Sequence, residues 1–298
     1  MRNTRLDIMR GIGILLMLLG HIPVEGMAYK LIYSFHMPMF FLLAGYFTNS
    51  KALFIGGGYS QIAKISCRLL MPYVVTLGMI VMMQIGACLL QDKPIDVGHV
   101  MGPLWFLPAM WWAKVVVGSI NKMPHYVLPV GMGVGLLACL IGLFWVESKV
   151  FVLQGICAVP LLCIGQYVRA RKLPWWICLI GIVSWIGAIL FSHMDMHQCK
   201  YGFYPLDILG ACGGTLVLFY AVDRVCRWEW SRYITKPIAL LGQFSLAALC
   251  MHGLEWKALL PLEQSICDGV ALLVLRFSVT IVLTILVVNL PWIRKIYR

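Results

Sequence analysis

The chain has 298 residues, a mean hydropathy of +0.87 and a formal net charge of +12, with 61% hydrophobic and only 12% charged residues. A soluble domain carries about 25% charged residues, so a chain this apolar cannot cover itself with polar groups in water, whereas lipid removes that need. The basic balance is not a nucleic-acid footprint, because the Lys and Arg residues sit in short loops between apolar runs, the pattern of topology signals and anionic headgroups.

At the N-terminus, a basic start and the apolar run 12–19 resemble a signal peptide. No small-x-small cleavage pattern follows, and Arg10 and His21 bracket the run, so the segment reads as a retained first helix. A spanning helix needs about 20 mostly apolar residues. Ten segments qualify in chain order: 6–22, 31–49, 69–90, 101–119, 126–146, 150–168, 175–191, 203–222, 238–256 and 269–290. The fold expected is therefore all-α, a polytopic transmembrane bundle of about ten helices. No polar stretch is long enough for a soluble domain, so 1–298 reads as one membrane domain with none appended.

Sixteen of the 24 Lys and Arg residues fall in one set of alternate loops and the termini, five fall in the other set, and Arg10, Lys114 and Arg276 lie inside helices. The positive-inside rule then puts both termini in the cytoplasm. The eleven cysteines form no CxxC pair and mostly read as small core hydrophobes. Cys199 and Cys267 fall in predicted loops, which leaves a disulfide between them open. Gly56–Gly58 is not followed by GK[ST], and neither HExxH nor GxSxG occurs, so no nucleotide loop, metal site or serine elbow is expected.

An ionisable side chain inside a bilayer costs at least about 2.5–3.5 kcal/mol and marks a partner or a cavity. Arg10 and His21 are eleven residues apart, so they share a face of the first helix about 16 Å apart along its axis. Gly11, Gly13 and Gly20 let a neighbour or a ligand approach that helix closely. His36, Asp207, His252, Glu255 and Arg276 collect at the outer level and suggest, with His21, a polar cavity opening outward. Trp105 reads as an aromatic-belt residue or as part of a sugar site. Lys64, Arg68, Lys122, Arg169, Arg171 and Lys172 gather on the cytoplasmic side, where clustered Lys and Arg serve either topology or a phosphate site.

Five stretches carry a resemblance: RLDIMRGIGILLMLLGH with Arg10 and His21, SFHMPMFFLLAGYF with His36, the basic run into RLLMPY, GPLWFLPAMW, and GQFSLAALCMHG with His252. Together they resemble the acyltransferase-3 family of membrane acyltransferases, in particular its fucose 4-O-acetylase-like members. Two departures are visible: Arg68 has Lys64 rather than an arginine as its nearest basic partner, and Leu249, Cys250 and Met251 stand where an aromatic is usual. The resemblance implies transfer of an acyl group, usually acetyl, from cytoplasmic acyl-CoA to a hydroxyl of a sugar or surface glycan. It implies His21 as general base, Arg10 on the donor path, the basic residues on the CoA phosphates, and the outer polar residues with Trp105 at the acceptor. Acetyl-CoA would be a co-substrate, with no tightly bound cofactor. The partners expected are the donor, a carbohydrate acceptor and lipids, in a bacterial inner membrane, with a homo-oligomer compatible. The alternative is a proton-coupled transporter or flippase for a lipid-linked sugar, since intramembrane His, Asp and Glu also mark proton relays.

Overall fold

The computed structural model describes residues 3–21, 26–48, 58–91, 101–123, 125–144, 151–169, 171, 174–263 and 269–297. Lys172 and Cys267, both singled out above, lie outside the described residues. Among the described residues the chain runs α1 (Thr4–Gly20), α2 (Gly26–Tyr33), α3 (His36–Phe47), α4 (Gly58–Gln91), α5 (Phe106–Ile120), α6 (Val127–Phe144), α7 (Val152–Cys157), α8 (Val159–Arg169) and α9 (Trp176–Phe191). A short antiparallel hairpin follows, β1 (Met194–Asp195) with β2 (Lys200–Tyr201), then α10 (Tyr204–Val225), α11 (Arg232–Gln243), α12 (Ser245–Glu263), α13 (Gly269–Asn289) and α14 (Pro291–Arg294).

The all-α bundle is thus as the apolar runs predict. Among the described residues six helical segments are long and apolar enough on their own to cross a membrane, and α11 with α12 forms an apolar pair bent by 77° that makes a seventh where it is counted as one span. Large apolar side chains face outward, such as Phe144 at 90% exposure and Val183 at 70%, which only lipid can solvate. The protein is a multi-pass integral membrane protein.

Three of the ten predicted segments are redrawn, the first being 69–90, whose helix α4 begins eleven residues earlier at Gly58. Segment 31–49 is divided between α2 and α3 at Ser34 and Phe35. Segment 238–256 straddles a break at Phe244, with amphipathic α11 ending before it and apolar α12 beginning after it. The reason is local: Phe244 leaves helical geometry at φ −107° and ψ 25°, and its N–H closes the α11 turn onto Leu240 and Leu241. His252 and Glu255 therefore sit in the middle of a spanning helix instead of near its outer end.

Packing relies on small residues where backbones meet. Gly11 of α1 lies against the Ile238 backbone and Gly242 against Asp7, which seats α11 on α1. Gly45 and Gly165 do the same for α3 and α8. A side chain at any of these would force the helices apart, the usual constraint on close membrane packing. The core runs between α1, α3, α5, α8 and α12 through Phe41, Leu104, Leu107, Leu161 and Met251.

Candidate active site

The C-terminus of α1 ends on His21, whose Nδ1–H donates to the Met17 carbonyl at 2.7 Å. A carbonyl can only accept, so this bond fixes the tautomer and leaves the lone pair on Nε2. The His252 ring meets the His21 ring edge-on, with centroids 4.8 Å apart. His252 Nδ1–H donates to Glu255 Oε2 at 2.8 Å, and Thr280 reaches the same oxygen at 3.4 Å. Arg276 completes the group: Nε lies 3.8 Å from Glu255 Oε1, and Nη1 donates to the His21 carbonyl at 2.9 Å. That carbonyl is one of the orphan acceptors at a helix C-terminus, where a cation is favoured.

His252, Glu255 and Arg276 are each 0% exposed. They are therefore not walls of a cavity opening outward, as their sequence positions suggested. A buried charge needs a partner, and α12 and α13 supply one to each other here, leaving His21 as the partly exposed member. His36 is buried beside the group, its Nδ1–H on the Ile32 carbonyl at 2.7 Å and its ring against Tyr33. Trp105 is core rather than belt, at 6% exposure, and packs on Phe151 and His197. Asp207 stands apart, lining a small pocket with Tyr29, Lys30, Ser192 and His193.

His197, which the sequence did not single out, sits in the turn between β1 and β2. Its ring packs on Trp105 at 5.5 Å, and its backbone carbonyl accepts from Gln154 Nε2 at 3.0 Å. The residue as a whole is exposed, yet burial of the ring pushes its imidazole below the ordinary value, with Asp195 pulling the other way. The hairpin thus brings a fourth histidine to the end of α1.

On the face that carries Asn3 and Tyr297, a cavity of about 1040 Å³ opens between α1, α3, α4, α5, α12 and α14, with the ends of α8 and α11 at its edge. Its lower wall carries Arg10, Lys64, Arg68, Lys114, Arg169 and Arg294, with Asp7 the one carboxylate among the lining residues. Its upper wall is apolar, with Ile14, Met17, Met37, Phe106, Leu107 and Leu249. Met17 is the residue whose carbonyl holds His21, and Leu249 lies one turn before His252, so the cavity's apolar end adjoins the histidine cluster. Arg10 is 3.6 Å from Asp7, and its guanidinium lies 4.5 Å from the Phe47 ring centroid.

Of the predicted phosphate residues, Lys64, Arg68 and Arg169 line this cavity, whereas Lys122 and Arg171 do not. The Arg171 guanidinium instead covers the Tyr167 ring at 4.2 Å. Lys114, Arg294 and Tyr297 line the cavity without having been assigned from the sequence. The signal for Lys114 was its place inside an apolar run. Arg294 sits in a basic terminus that looks the same as any topology signal.

The acyltransferase-3 family model, described as an acyltransferase domain, matches residues 3–293. The chain belongs to the acyltransferase-3 family. No curated protein and no solved structure matches it. The five stretches that carried the resemblance all lie within the matched residues.

Proposed function

We propose that this protein transfers an acyl group, acetyl in the simplest case, from acyl-CoA to a hydroxyl of a sugar or cell-surface glycan. The donor enters the cation-lined cavity from the cytoplasm, where the charge split also puts both termini. The acceptor arrives at the opposite end of α1, in a bacterial inner membrane. The single observation that carries this reading is the position of His21: it adjoins the apolar end of the cavity and holds its Nε2 lone pair in a fixed tautomer.

His21 Nε2 takes the proton from the acceptor hydroxyl as its oxygen attacks the thioester carbonyl carbon. Collapse of the tetrahedral intermediate breaks the C–S bond, and the CoA thiolate takes the proton back from His21. A resting neutral imidazole suits the first transfer, and the imidazolium it becomes supplies the proton for the second. His252, Glu255 and Arg276 position His21 by holding its ring edge and its carbonyl. His36, Trp105 and Asp207 remain acceptor-side residues in this reading.

Mass spectrometry of envelope glycans from cells with and without the protein, fed isotope-labelled acetate, tests the reading. A labelled mass increment of one acyl group that needs the protein supports it. Identical glycans and lipids in both cell lines, with purified protein that leaves acetyl-CoA unbound, would overturn it.

A further inference from the structure

Lys114 lies in α5, inside an 19-residue span that is otherwise apolar apart from its small polar residues. Lys114 lines the large cavity, and its Nζ donates to Thr48 Oγ1 at 3.5 Å. Thr48 Oγ1–H is itself committed to the Ala44 carbonyl at 2.8 Å, so toward Lys114 it can only accept. Among the described residues Lys114 has no carboxylate within ion-pair distance. Its charged neighbours are Arg68 and Arg10. Three cations thus converge inside the membrane from α1, α4 and α5, and Asp7 already stands beside Arg10.

Such a grouping is unfavourable in the empty protein, because like charges repel and the ammonium has lost water. It becomes favourable when an anion with several oxygens enters. Arg10 and Arg68 offer planar forks, and Lys114 offers a point charge with three donors, which together suit the spread oxygens of a diphosphate.

Length selects among phosphate compounds. Arg10 lies about 16 Å below His21 along α1. The pantetheine arm of CoA runs roughly thirteen bonds from its phosphorus to its sulfur, and an extended chain of that length spans about 15 Å. A diphosphate held at Arg10 therefore brings the thioester to His21, with the arm along Ile14, Met17 and Met110.

We propose that Lys114, with Arg10 and Arg68, forms the diphosphate-binding site for the acyl donor. This rests on the acyl-CoA reading above and adds a residue and a register to it. Lys64 and Arg169 remain for the outer, ribose-side phosphate.

The test is titration of purified protein in neutral detergent with CoA, 3′-dephospho-CoA and pantetheine, for the wild type, Lys114→Met and Lys114→Arg. Lys114→Met weakens CoA and 3′-dephospho-CoA by the same factor, about 10- to 100-fold, leaves pantetheine unchanged, and Lys114→Arg restores most of the loss. Wild type that binds CoA beside a Lys114→Met that binds it equally well overturns the assignment and leaves the acyl-CoA reading standing. Wild type that binds none of the three overturns both. If Lys114→Met does not fold, Lys114→Arg carries the test: folded protein that loses both phosphate compounds and pantetheine alike places the effect on shape and overturns the proposal. A lipid headgroup phosphate as the true occupant shows itself as phospholipid co-purifying with wild type but not Lys114→Met, with CoA affinity unchanged, and this too overturns it.

Discussion

The two polar regions of this membrane protein handle charge in opposite ways. Around His252, Glu255 and Arg276 every ionisable side chain is sealed from solvent and faces a partner within the group. In the cavity on the termini face, six cations share the wall with one carboxylate, and the space between them is open. A buried group whose charges face one another holds positions. An unbalanced, open group gains most when an anion fills it. The contrast separates the part of the molecule suited to fixing geometry from the part suited to an anion, and His21 lies on the boundary.

The sharpest way to break that comparison is at the boundary itself. His21→Ala should lower acyl transfer by about 10²–10⁴-fold, the range for a lost general base, while acyl-CoA affinity stays near wild type because the cations are untouched. Turnover of the two proteins and titration in the same detergent decide it; near-normal turnover would remove His21 from the mechanism.

Inside the sealed group, Glu255→Gln removes the carboxylate beside buried Arg276 and should cost about 3–5 kcal/mol of stability, as breaking a buried pair does. The double substitution with Arg276→Met should recover most of that, although turnover should stay low because the His21 carbonyl loses its clamp. Unfolding monitored in detergent, beside the transfer assay, checks both halves. A single variant as stable as wild type would mean the group is not coupled as drawn.

On the cavity wall, Arg68→Ala should weaken acyl-CoA by about 10-fold or more and Lys64→Ala by less, since only arginine makes the bidentate contact. Equal, negligible effects would assign both residues to topology alone. Smallest of all are Lys122→Ala and Arg171→Ala. Both sit off the cavity, and their removal should change affinity by less than about 2-fold, consistent with the low worth of exposed charges. A large effect from either would redraw the cavity's boundary.

Much of the bundle was legible because lipid exposure writes itself into composition. The runs at 126–146, 175–191, 203–222 and 269–290 match α6, α9, α10 and α13 within a few residues. The misplacement at 238–256 has a cause: Leu240 and Leu241 extend the apolar look of α12 backward across Phe244, where the backbone turns. The start of α4 was missed by eleven residues, because Lys64 and Arg68 end an apolar run without ending a helix. In the site, Arg10 and His21 were legible from spacing on one helix. The edge contact of His21 with His252, and the approach of His197, join residues far apart in sequence, and no periodicity encodes them. Lys114 could have been found, since an ammonium in an apolar run demands an explanation.

The bend at Phe244 ties two parts of the protein's physics together. Bent by 77° from α12, α11 exposes Tyr233, Ile234 and Leu240 beside Arg232 and Lys236, a make-up suited to headgroup depth. The same helix grips α1 through Gly242 and hands on to Gln243, Phe244 and Ser245 in the cavity wall. The contacts that seat α11 on α1 therefore also shape one edge of the cavity, so a change in how α11 sits is felt at the cavity wall.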